Sequence, residues 1–171
     1  MIRGMTRTDR PATFDERTML TTMLDYTRAT VHAKCTDLAA ADARNAPLAT
    51  SPLMTLSGIV NHLRWVENWW FEVIFQDLPN NAPWTEDDID REWRIATERP
   101  IEDLLAEYEQ QCAGNRELVA RLDLDMPAKN TVRDGQMVTL GWIVLHMIEE
   151  TARHNGHLDV LRELADGVVG G

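Results

Sequence analysis

Residues 140–165 read LGWIVLHMIEETARHNGHLDVLRELA, and three of the chain's five histidines fall within them. The stretch holds no proline and is closed by Asp166 and Gly167, which predicts a long helix ending there. At roughly 100° per residue, His146, Glu150, His154 and His157 lie within about 80° of one another. The same stripe carries Trp142, Ile143, Val160, Leu161 and Leu164, whereas Thr151, Asn155 and Glu163 fall elsewhere on the wheel. The polar cluster is therefore expected in the middle of the buried face. Burying a carboxylate among imidazoles is costly unless something pairs with them, and a cation does so well.

Upstream, TVRDGQMVTL reads as two short extended pieces around an Asp-Gly turn, a small hairpin ahead of the last helix. A helix is expected over about 101–122, opened by acidic residues that suit a helix N-terminus. Residues 77–100 form a long, acidic, proline-marked connection. Before it, a helix is expected over 52–75, with Ser51 as cap and Pro52 in the first turn. The stretch ADARNAPLATSP breaks the pattern, and a first helix spans about 14–38, with Leu20, Leu24, Val31, Cys35 and Leu38 at helical spacing. Four long helices with a long connection between the second and third predict an all-α chain, a four-helix bundle. One domain over 13–167 follows a flexible arm over 1–12.

The net charge of −11 argues against a nucleic-acid or anionic-membrane surface. No apolar run approaches the roughly 18 residues of a membrane span. Arginines near the N-terminus are not followed by an apolar segment, so a secretory signal is not expected and a cytoplasmic location is. Two cysteines, Cys35 and Cys112, make neither a disulfide framework nor a CxxC motif.

One helix supplies too few ligands for a stable metal site. The second offers SGIVNHLRWVENWWFEVIF, where His62 sits among Ile59, Val66, Trp69, Trp70 and Val73, with Asn61, Arg64 and Asn68 expected toward solvent. A histidine from one helix and a Glu-x-x-x-His pair from another can converge in a bundle core. A hydrogen-bonded core histidine and an i,i+4 helix contact are the competing readings of the same residues. Spacing leaves open which two of His146, Glu150, His154 and His157 would bind. Trp65, Trp69, Trp70 and Trp142 are expected mostly in the core, with Trp69 and Trp70 lining a pocket. His32 and Cys35 read as a peripheral histidine beside a core cysteine.

The runs LSGIVNHLRWVENWW (56–70) and LGWIVLHMIEETARHNGHLDVLRE (140–163) resemble the DinB-like superfamily. They are especially similar to its actinobacterial branch, which includes the N-terminal domain of mycothiol-dependent maleylpyruvate isomerase and the mycothiol S-transferases. The resemblance implies a four-helix bundle of the DinB/YfiT-like type that binds one divalent metal ion through three residues. It assigns those positions to His62, Glu150 and His154, with Gly156 just after the pair, and leaves His146 and His157 as neighbours; the residues themselves add Trp69, Trp70 and Arg153 as supporting or pocket-lining candidates. Zinc is the expected ion, with nickel, iron and manganese as alternatives. The implied activity is S-transfer: a low-molecular-weight thiol, mycothiol or a similar one, is activated at the metal for attack on an electrophile. The alternatives are a mycothiol-dependent isomerase and a non-enzymatic metal- or ligand-binding stress-response protein. Arg153 and Arg64 are the nearest candidate partners for an anionic co-substrate, and the family makes a homodimer the expected assembly.

Overall fold

The computed structural model describes residues 7–132 and 135–169. It is all-α, with four long helices: α1 (Glu16–Cys35), α3 (Leu56–Asn68, continued by a π-helical stretch Trp69–Phe75), α5 (Ile101–Arg121) and α6 (Leu140–Asp166). Two short helices, α2 (Ala40–Arg44) and α4 (Arg91–Ala96), lie in the connections. Helix α1 packs along α6 and α3 along α5, while α3 also meets α6 and α4 lies on α3. None of the described helices is long and apolar enough to cross a membrane.

Side-chain caps set three of the helix starts. Asp15 accepts a hydrogen bond from the Thr18 amide at 3.0 Å to open α1, and Thr139 accepts from the Trp142 amide at 3.3 Å to open α6. Helix α3 begins at Leu56 rather than at the expected Pro52. Residues 51–54 form a turn closed by Met54 N–H to Ser51 O at 3.0 Å, and the Thr55 hydroxyl caps the Gly58 amide at 2.8 Å. Helix α6 ends as its sequence predicts, with Gly167 at φ 79° donating to Glu163 O at 3.0 Å.

The expected hairpin is only partly realised. Its tip, Arg133 and Asp134, lies outside the described residues, as do residues 1–6 of the expected arm. The flanks pair through Ala128 N–H to Val138 O (2.8 Å) and Leu140 N–H to Met126 O (2.9 Å), with a lone bridge and no strand among the described residues. The described part of the arm is tethered by Arg7, which donates to Thr30 Oγ1 at 3.1 Å and lies over the Tyr26 ring.

The apolar core comes in two halves. One gathers around Val31, Leu63, Leu104, Tyr108 and Leu158, the other around Leu24, Phe71, Ile143 and Met147. Between them, at the same level of α1, α3 and α5, lies a buried polar layer. Arg28 donates Nε and Nη2 to the two Glu67 oxygens at 2.7 Å each, and Asn115 Nδ2 donates to Glu67 Oε2 at 2.7 Å. Such a bidentate pair satisfies both buried charges.

The wheel expectation for α6 needs correcting. Thr151 and Asn155 are buried, whereas Val160, Leu164 and Trp142 are exposed. The buried face runs through Ile143, Met147, Thr151, Leu158 and Leu161, so the histidine stripe borders the core instead of occupying its centre. Asn155 tolerates burial because its Nδ2 donates to Thr27 O at 2.9 Å. On α3 the same holds for Asn61 and Asn68, both buried where solvent was expected, and Asn61 Nδ2 donates to Glu92 O at 2.7 Å.

Candidate metal centre

Helices α3 and α6 bring His62, Glu150 and His154 together at the edge of the core. One ligand atom from each lies within 4.8 Å of the others. Glu150 Oε1 sits 3.5 Å from His62 Nε2 and 3.2 Å from His154 Nε2, and all three side chains are half-buried. Their convergence follows from α6 presenting Glu150 and His154 one turn apart on its border stripe, facing the His62 side of α3.

A fourth residue completes the arrangement. Glu92, on α4, is buried and places Oε1 2.7 Å from His62 Nδ1. A carboxylate only accepts, so Nδ1 carries the hydrogen and Nε2 is the nitrogen turned toward Glu150. The next residue, Trp93, stacks on the His62 ring at 4.5 Å and 21°. This close packing of α4 on α3 requires Gly58: a Cβ there would lie 3.0 Å from Trp93 Cε3 and 2.9 Å from Thr55 Oγ1. Glu92 does not stand out in the sequence, where 77–100 reads as a long, acidic, proline-marked connection. The local signal is short, Trp93 and Ala96 at i, i+3, which are the residues α4 turns to the core.

The electrostatics favour positive charge at this point. Burial pulls His62 toward the neutral form, but hydrogen bonds and charge from Glu150 and Glu92 outweigh it and raise its pKa to about 9. Hydrogen bonds from His154 and His62 hold the Glu150 carboxyl far below the usual carboxylate range. His157 lies beside His154, Nδ1 to Nδ1 3.4 Å, and burial followed by His154 lowers its pKa.

The other expected neighbours spread out around the cluster. His146 is not part of it: it stacks on Trp142 at 5.1 Å and meets the edge of Trp70. Arg153 is exposed, paired with Glu149 and lying 3.4 Å from Glu150 Oε2. Arg64 pairs with Glu107 at 3.1 Å and lies over Trp65. Cys35 and Cys112 are both buried, and burial pushes the Cys35 thiol up to about 12 and Cys112 well above its ordinary value. Neither can act as a nucleophile at neutral pH.

Two clefts reach the cluster. The larger, about 740 Å³, is lined by Trp69, Trp70, Trp84 and Trp142 and ends on His62 and Glu92. The smaller, about 300 Å³, lies on the Trp93 face and is lined by Ser51, Asp90, His154 and His157 among others. Trp69 and Trp70 line the larger cleft as expected while packing against the core, Trp142 is exposed and lines the cleft too, and Trp65 lines neither cleft; none of the four is fully buried.

Two imidazoles and a carboxylate converging from separate helices beside an aromatic cleft define a class, an all-α protein with a candidate divalent-metal site. A family model described as mycothiol S-transferase matches residues 19–167. The chain belongs to this mycothiol S-transferase family, which is DinB-like. No curated protein matches the chain.

Proposed function

We propose that the chain is a divalent-metal-dependent S-transferase that joins a low-molecular-weight thiol of the mycothiol type to an electrophile. The reading rests chiefly on the convergence of His62, Glu150 and His154 within 4.8 Å, in a chain of the mycothiol S-transferase family. We read its four long helices as the four-helix bundle of the DinB/YfiT-like type.

The donor set fits such an ion. Two imidazole nitrogens and one carboxylate oxygen make three ligands and leave positions for an exogenous group, as catalytic zinc sites do. The field that raises His62 would equally stabilise a cation between the carboxylates. Zinc is our first choice. Bound there, a divalent ion would favour the thiolate form of a thiol, which is the nucleophile. Glu92 holds the Nδ1 hydrogen of His62 and so commits Nε2 to the centre. The Trp93 stack fixes the ring plane, and Glu150 would supply the negative charge that offsets an ion bound there. With both cysteines buried, the reacting sulfur must come from the co-substrate.

Elemental analysis and thiol conjugation test this together. Purified protein reconstituted with zinc should hold about one ion per chain and conjugate mycothiol to an electrophile, and the His154→Ala variant should lose both properties. Equal ion content and equal rates in the two proteins would refute the reading. Ion binding that depends on His154 without any conjugation would favour the non-enzymatic alternative.

A further inference from the structure

Building on the S-transferase reading, we propose that the large cleft beside His62 binds the electrophile, and that this electrophile is a planar, uncharged aromatic compound. The cleft's volume of about 740 Å³ matches a small-molecule site. Its indoles meet one another at steep angles, 60° between Trp69 and Trp84 and 58° between Trp70 and Trp142. The members of each pair touch one another, so a flat ring entering the cleft beside them can stack on the face of one indole while meeting the edge of the next, the two arrangements aromatic quadrupoles prefer.

Charge narrows the class further. Among the described residues lining the cleft, Glu92 is the one carboxylate, and the one histidine, His62, is paired with it, Nδ1 to Oε1 at 2.7 Å. The described lining contains no lysine or arginine. A carboxylate on the substrate would lose hydration without gaining an unpaired cation among the described lining residues and would face the Glu92 charge. An anionic electrophile is therefore disfavoured, including the acidic substrates an isomerase of this family would take.

The second cleft gives the thiol its own approach. It opens on His154 and His157, on the other side of the stacked His62–Trp93 pair, with Ser51 and Asp90 at the margin of a mainly apolar lining. The two reactants thus reach the cluster from different sides. In the reaction, the thiol gives up its proton to solvent, and the sulfur forms a bond to the electrophilic carbon. The bond from that carbon to its leaving group breaks, and the leaving group departs with the electron pair. No oxidant or reductant is needed.

The experiment compares the wild-type chain with Trp84→Ala and Trp84→Phe. Binding of meta-dinitrobenzene, which is planar but carries no leaving group, is followed by calorimetry on metal-free protein. Zinc-loaded protein is then assayed with mycothiol and chlorodinitrobenzene, iodoacetamide or iodoacetate. Losing one aromatic wall should weaken dinitrobenzene binding and raise KM for chlorodinitrobenzene roughly tenfold. Turnover of iodoacetamide should stay within about twofold, since a small aliphatic reagent gains little from stacking. Trp84→Phe should recover most of the loss, and iodoacetate should be a far poorer substrate than iodoacetamide. Unchanged dinitrobenzene affinity in Trp84→Ala, or an equal loss for all three electrophiles, would overturn the cleft assignment while leaving the S-transferase reading intact. Trp84-dependent dinitrobenzene binding without turnover of any electrophile would support an aromatic-binding cleft and remove the transferase reading.

Discussion

Replacing Glu67 by glutamine removes one charge from the centre of the core with almost no change of shape. The Arg28 guanidinium then stays buried with a neutral amide where it had a bidentate carboxylate, held by two 2.7 Å hydrogen bonds. Asn115 Nδ2, 2.7 Å from Glu67 Oε2, loses its charged acceptor as well. Breaking a buried pair by changing one partner costs about 3–5 kcal/mol. For a chain of this size each kcal/mol lowers Tm by about 2–4 °C, so the expected drop is on the order of 6–20 °C. Replacing both partners at once, with Arg28→Met and Glu67→Leu, leaves no unpaired charge and should recover about 2 kcal/mol of the loss. Asn115, still without its acceptor, accounts for the remainder, about 1–3 kcal/mol. Urea denaturation followed by far-ultraviolet circular dichroism supplies the stability of Glu67→Gln and, with wild type, Arg28→Met, Glu67→Leu and the double variant, the four stabilities of a double-mutant cycle. A Glu67→Gln loss below about 1 kcal/mol, or additive losses in the double variant, would refute the view that charge pairing governs this layer.

Three further outcomes follow from other contacts. Burial opposes ionisation of Glu109, but the His32 imidazole 3.6 Å away and a 2.7 Å hydrogen bond from Arg116 outweigh it and hold its pKa at about 2, against 4.5 unperturbed. A depressed carboxyl pKa contributes stability that is present above 4.5 and lost as pH falls toward about 2. Glu109→Gln should therefore cost about 1 kcal/mol near neutrality, and acid titration of both proteins should show that gap closing over this window. Glu92→Gln should weaken divalent-metal affinity about 10–100-fold with unchanged helicity, since His62 loses its orienting carboxylate; competition with a chromogenic chelator measures it, and equal affinities would count against the role given to Glu92. Gly58→Ala should destabilise the fold by about 1–3 kcal/mol and shift tryptophan emission, because the new methyl displaces Trp93. A stability loss with unaltered emission would show that Trp93 does not move.

The four long helices were legible because their apolar spacing, the acidic opening of α5 and the Asp166–Gly167 stop are local features. Their phase was harder to read. A wheel treats Asn61, Thr151 and Asn155 as solvent-facing, yet all three are buried, two of them with backbone carbonyl partners on neighbouring segments that no local pattern reveals. The His62, Glu150 and His154 grouping came from the resemblance more than from the wheel, which left four groups open. Glu92 escaped because six-residue α4 is too short to stand out and owes its place to packing of Trp93 over Gly58. The start of α3 was misplaced because Ser51-Pro52 is a good local cap, but the chain turns there and Thr55 caps the helix instead.

The distribution of indoles makes the chain its own reporter. Four tryptophans line the large cleft, Trp93 stacks on His62, and Trp65 meets the edge of Trp84, whereas neither half of the apolar core contains a buried tryptophan. Intrinsic fluorescence therefore senses the surroundings of His62, while circular dichroism senses the helices. If the segment carrying Trp84 and Trp93 loosens before the helices melt, the two signals will part during denaturation, and their separation measures the local opening free energy without any added label.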